Sequence, residues 1–120
     1  MKTGYTHVYT GENWRSLDTA FGMAARACGA GFSVCFYNFS DSAAHFNAFA
    51  QRLQIDSFQD IGNATQHDMA ILYNCDFLDA DALKNFLARK PQHQEVVLCG
   101  KAFDEEILAM ADLISKVGAL

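Results

Sequence analysis

The stretch VYTGENWRSLDTAFG, Val8 to Gly22, decides how the rest of the chain is read. It opens as an apolar strand, turns at Gly11 and passes into helical spacing. From Leu17 onward, Leu17, Phe21, Ala24, Ala25 and Cys28 recur at three and four residues, the period of a helix with one buried face. Ser16 suits the N-cap, Asp18 the first turn, and Gly29 and Gly31 the stop. A strand, a glycine turn and a helix start form the frame in which many α/β proteins hold phosphate. Backbone N–H groups and the helix dipole converge there on an anion.

Working outward, the same alternation continues. FSVCFYNF (Phe32 to Phe39) is apolar nearly throughout, as expected of a strand buried on both faces of a parallel sheet. Ser40 or Ser42 can cap the next helix, whose apolar face is Phe46, Phe49, Ala50 and Leu53. QIDSFQDIG can hold a short strand, and Asn63 to His67 reads as a loop. DMAILYN (Asp68 to Asn74) is a third strand. Asp79 caps a helix through Leu83, Phe86 and Leu87 that must close before Pro91. EVVLCG (Glu95 to Gly100) is a fourth strand. A last helix is expected from about Asp104 to Lys116, with Asp104, Glu105 and Glu106 at its positive end and Lys116 at its negative end. Strands are expected near 5–10, 33–38, 68–73 and 95–99. Connections of this length make right-handed βαβ units. The expected fold is α/β, a three-layer domain with a mostly parallel sheet of about five strands, in a single domain over residues 1–120.

Composition excludes several classes. The 120 residues are 51% hydrophobic and 19% charged, a globular balance. Net charge is −5, with nine Lys and Arg thinly spread, so there is no basic stripe for a nucleic-acid backbone. No apolar run reaches the roughly 18–20 residues that span a bilayer. The start, Met1-Lys2-Thr3-Gly4-Tyr5, lacks a secretory core, and a cytoplasmic protein is expected. Cys28, Cys35, Cys75 and Cys99 form no C-x-x-C pair and stand at no zinc spacing. Cys35 and Cys99 read as buried thiols. Cys75 reads as a solvated or half-buried thiol with no histidine placed to activate it. His7, His45, His67 and His93 are scattered. No metal is expected.

The two ends of the chain carry a collinear resemblance. GYTHVYTG, followed by GMAARACGAGFSVCFYNF, then HDMAILYNCDF and LARKPQHQEVVLCGKAFDEEILAMADLISKV, resembles the ATP:corrinoid adenosyltransferases of the cobalamin pathway. That family reads as a G-Y-x-x-V-Y-T-G strand, a G-K-G-K-T-T phosphate loop, a D-L-V-I-L-D-E strand, an R-P-x-x-x-x-V-V-L-T-G strand and a P-E-E-L-I-E-L-A-D-L-V-T-E helix. The resemblance implies a P-loop fold and transfer of the adenosyl group of ATP to the cobalt of a reduced corrinoid.

The working residues depart from that pattern. Gly11 matches the first loop glycine, followed by Glu12. Asn13 and Arg15 stand where the family has glycines, with Trp14 between them. Ser16 stands for the lysine, Leu17 for the magnesium-binding hydroxyl and Asp18 for the second threonine. Ser16 cannot supply the charge-assisted bond of a lysine to phosphate, worth about 1.5–3 kcal/mol. Leu17 has no oxygen for magnesium. Glu12 and Asp18 add negative charge where a polyphosphate would lie, and Arg15 is the one loop group that could answer an anion. At the end of the third strand, Tyr73 and Asn74 replace the Asp-Glu pair, and Asp76 is out of register. Trp14 could stack on a flat ligand, plug the old ATP site or pack as a lid.

Only 28 residues lie between Phe39 and Asp68, where the resemblance implies an extra helix and a corrinoid-covering segment, and the family's usual C-terminal tail is expected to be missing. The expectation is a non-catalytic homologue with a binding, regulatory or assembly role. No cofactor is required, and weak ATP or corrinoid binding is left open. Two alternatives stay open: a divergent but active adenosyltransferase, and an enzyme of another class using Tyr73, Asn74 or Cys75. A homodimer is expected, because ten Phe, Trp14 and four Tyr exceed what a small domain readily hides. Phe46, Phe49 and Phe58 are the candidate patch. A small molecule in the remnant cleft is the other expected partner.

Overall fold

The computed structural model describes residues 4–11, 26–27, 29–38, 56–58, 67–73 and 75–116. Among these, six strands form one parallel sheet: β1 (Thr6–Thr10), β2 (Val34–Asn38), β3 (Asp56–Phe58), β4 (Met69–Tyr73), β5 (Glu95–Gly100) and β6 (Leu113–Lys116). Their order is β3-β2-β4-β5-β1-β6, and each neighbouring pair is parallel. Helices α1 (Ala80–Arg89) and α2 (Glu105–Met110) connect β4 to β5 and β5 to β6. The parallel α/β reading holds, with six strands rather than about five.

The sheet is buried on both sides. Val8, Cys35, Ala70, Leu72, Val96 and Leu98 join Leu83, Phe86, Leu87 and Ile107 of the two helices in one apolar cluster. The alternate residues Tyr9, Val34, Met69, Ile71, Val97 and Cys99 are buried as well. Burial of both side-chain sets requires cover on both faces, the three-layer arrangement. This explains why β4 and β5 read as continuous apolar runs.

The caps follow their expected chemistry. Asp79 accepts the Ala82 N–H at 3.2 Å, and α1 closes with the Lys90 N–H on the Leu87 carbonyl, one residue before Pro91. Asp104 accepts the Glu106 N–H at 2.9 Å at the start of α2. Lys84 of α1 binds both Asp104 and Glu106, at 3.3 and 3.0 Å, tying the helices together. The helical turn at Arg26 and Ala27 ends as expected, with Gly31 at φ +88°. The caps Ser16, Ser40 and Ser42 and the faces built on Leu17 and Phe46 lie outside the described residues. So does Cys28.

The last helix is shorter than its spacing predicts. It stops at Met110, Ala111 is extended with ψ 143°, and Leu113–Lys116 is strand, not helix. Asp112 is the cause. Its Oδ2 accepts the Thr6 N–H at 2.8 Å, and its own N–H donates to the Thr6 carbonyl at 2.8 Å. These bonds start the pairing of β6 on β1, which another helical turn would forfeit. Lys116 therefore ends a strand beside Thr10 and compensates no helix dipole.

Candidate functional site

In parallel sheets the ends of the strands, where the connecting loops gather, are the ligand edge. At this edge β5 lies between β1 and β4. The loop after β5 therefore stands between the Gly11 turn at the end of β1 and the turn that follows β4.

That loop is bonded to both sides. The Gly11 N–H and the Thr10 hydroxyl donate to the Lys101 carbonyl at 3.1 and 3.0 Å. On the other side, the Lys101 N–H donates to both Asp76 carboxylate oxygens, at 3.1 and 3.0 Å, and Ala102 N–H adds a bond at 3.5 Å. Asp76 sits in the 3-10 turn Cys75–Phe77 that follows β4. Gly100 is buried between these groups. A Cβ there would press on the Phe103 ring at 3.2 Å and on Asp76 Oδ1 at 3.4 Å. The sequence placed Asp76 out of register for a metal, and the structure gives it a different task, to hold the β5 loop. Its position three residues past the apolar run was the available signal, but its partners are backbone groups about 25 residues away in sequence.

Replacing Asp76 with alanine is expected to free residues 101–103 and lower stability by about 1–2 kcal/mol, the low end for bonds to a charged group because the site is exposed. Amide hydrogen exchange should rise at Lys101 and Ala102. Unchanged exchange there would contradict the anchoring role.

Gly11 has φ +126°, a conformation that favours glycine and turns the chain sharply at the end of β1. Glu12, Asn13, Trp14, Arg15, Ser16, Leu17 and Asp18 lie outside the described residues. Tyr73 ends β4 opposite Asn38 in the register, and its side chain is outside the description, as is Asn74. The structure thus brings the end of β1, the β5 loop and the turn after β4 to one edge.

Cys75 is buried rather than half-solvated. Its thiol donates to the Leu72 carbonyl at 3.2 Å, and burial holds its pKa well above the ordinary value. Cys99 is pushed up to about 12 by burial. Neither supplies a thiolate at neutral pH. His7 lies on β1, its ring 4.2 Å from that of Tyr9 and its Nε2 3.0 Å from Ser115 Oγ, with burial lowering its pKa. His67 is buried and His93 is an exposed turn residue. His45 is outside the description. Among the described residues, no group of three or more His, Cys, Asp or Glu is placed to hold a metal ion, and no helix is long and apolar enough to cross a membrane.

An all-parallel α/β sheet in which β5 stands between the glycine-turn strand β1 and β4 is the class defined by this geometry. A family model described as ATP:corrinoid adenosyltransferase BtuR/CobO/CobP matches residues 65–120. That stretch, from just ahead of β4 to the end of the sequence, is similar to this family and consistent with a shortened member of it, and the resemblance read from the sequence is borne out over it. Comparison with curated proteins gives no match.

Among the described residues, Asp76 stands beside the β5 loop with both carboxylate oxygens engaged by backbone N–H groups.

Proposed function

We propose that this chain is a non-catalytic homologue of the ATP:corrinoid adenosyltransferases, a cytoplasmic protein with a binding, regulatory or assembly role. One observation carries the reading. Both catalytic elements are replaced, by Ser16 and Leu17 in the loop and by Tyr73 and Asn74 at the strand end, and the neighbouring Asp76 is committed to the β5 loop. Two independent losses on one catalytic function argue against drift in a single loop. In this reading, the edge between β1 and β4 serves as a cleft for a small molecule, without phosphoryl-assisted chemistry.

Calorimetric titration with Mg-ATP, with and without a reduced corrinoid, tests this. Little or no binding heat is expected. A dissociation constant in the low micromolar range would overturn the reading in favour of an active adenosyltransferase. The double change Ser16→Lys with Leu17→Thr should restore only part of ATP affinity, since Arg15 and Tyr73 still depart from the pattern. Full adenosyl transfer by that variant would show that the strand end is dispensable.

A further inference from the structure

One peptide group of the β5 loop is bonded at both of its ends. The peptide that joins Lys101 to Ala102 presents its carbonyl to the Gly11 N–H at 3.1 Å and to the Thr10 hydroxyl at 3.0 Å. Its own N–H, that of Ala102, meets Asp76 Oδ1 at 3.5 Å, and the preceding Lys101 N–H donates to both Asp76 oxygens at 3.1 and 3.0 Å. A carboxylate therefore stands at one end of this peptide group and the donors of the glycine turn at the other. Hydrogen bonds in such a chain polarise one another, so an anion at the N–H end makes the carbonyl a stronger acceptor.

The bridge has little slack. Lys101 is exposed, so hydrogen bonds rather than burial hold it in place. Gly100, just ahead of it, is buried so closely that a Cβ would press on the Phe103 ring and on Asp76 Oδ1. On the other side Gly11 holds φ +126°, a backbone state that glycine adopts without strain. Neither turn can shift far without stretching its bonds to Lys101.

We infer that residues 100–102 couple the two turns. The glycine turn after β1 and the 3-10 turn after β4 loosen and tighten as one unit, and Asp76 is a positioning residue for Gly11, acting through Lys101. The inference rests on the reading of this edge as a small-molecule cleft and deepens it. An occupant that draws the Gly11 N–H away from Lys101 weakens the hold of Asp76 on the loop as well, so the cleft responds across its width. Such an effect is mutual, because coupling between two sites is reciprocal.

Amide hydrogen exchange on the full chain without ligand tests this, and its outcome is independent of the Mg-ATP titration. Thr10→Val keeps the shape of the side chain and removes one donor to the Lys101 carbonyl. It is expected to speed exchange at Lys101 and Ala102, on the Asp76 side, by about threefold to tenfold, the effect of one hydrogen bond on a local opening. Asp76→Ala should speed exchange at Gly11 by a similar factor, and Asp76→Asn, which keeps an acceptor oxygen, should restore part of the protection. The buried strand residues Ile71 and Val97 report unfolding of the whole domain, and the changes at the turns should exceed any change there. In the double variant the two effects should fall short of their product, since either change alone releases the shared bridge. Gly11 exchange untouched by Asp76→Ala, or Lys101 and Ala102 exchange untouched by Thr10→Val, would overturn the inference. So would a double variant whose effects multiply, or turn effects no larger than those at Ile71 and Val97.

Discussion

Phe86→Ala is expected to lower stability by about 3–5 kcal/mol, the range for removing a fully buried aromatic ring and leaving a cavity. Phe86 is 2% exposed and lies in the cluster formed by Val8, Ala70, Leu72, Val96 and Leu98 of the sheet with Leu83, Leu87 and Ile107 of the helices. The ring lies in the apolar cluster between the sheet and the helix layer. A domain of this size is typically stable by about 5–15 kcal/mol, so the variant gives up a large fraction of the total. Urea unfolding followed by circular dichroism measures it. A loss below about 1 kcal/mol would mean that the layer packs less tightly than the burial shows. Phe86→Leu, which retains most of the volume, should recover over half of the loss.

Asp112→Ala is expected to cost about 2–3 kcal/mol. Thr6 is 3% exposed, and its N–H has the Asp112 carboxylate as partner at 2.8 Å. Removing a charged acceptor from a buried donor leaves that donor unsatisfied, which costs more than the bond itself contributes. Asp112→Asn keeps an acceptor oxygen and should cost less than half as much. Hydrogen exchange would localise the effect, because β6 depends on this junction. Protection should fall at Thr6 and along 113–116 and stay high in β4 and β5. Uniform loss across the sheet would show that Asp112 supports the whole fold rather than its edge.

Local spacing does not settle the structure of residues 111–116. Ile107, Leu108, Ala111 and Ile114 are spaced like a helix face, and the acids at 104–106 start that helix correctly. The end of the helix depends on Thr6, about a hundred residues away in sequence. Asp112 reaches the N–H and carbonyl of that residue only after β1 is in place. Asp76 was legible as an acid near a strand end, but its partners, the N–H groups of Lys101 and Ala102, come from another βα unit. Cys75 looked half-solvated because the residues around it are polar, Asn74 and Asp76. A 3-10 turn folds its thiol back onto the Leu72 carbonyl and buries it.

The sequence by itself determined the α/β class, four of the six strands outright and a fifth, Asp56–Phe58, as a possible short strand, the caps Asp79 and Asp104, and the stop before Pro91. These features rest on local chemistry: side-chain periodicity, a capping oxygen within three residues and proline's missing N–H. Tertiary structure alone decided the order β3-β2-β4-β5-β1-β6, the conversion of 113–116 into an edge strand and the use of Asp76 as a loop anchor. Each of these is a pairing between groups distant along the chain. The free energy of such a pairing depends on which backbone donors and acceptors the rest of the fold has left unmatched, and that is settled only when the strands stand side by side.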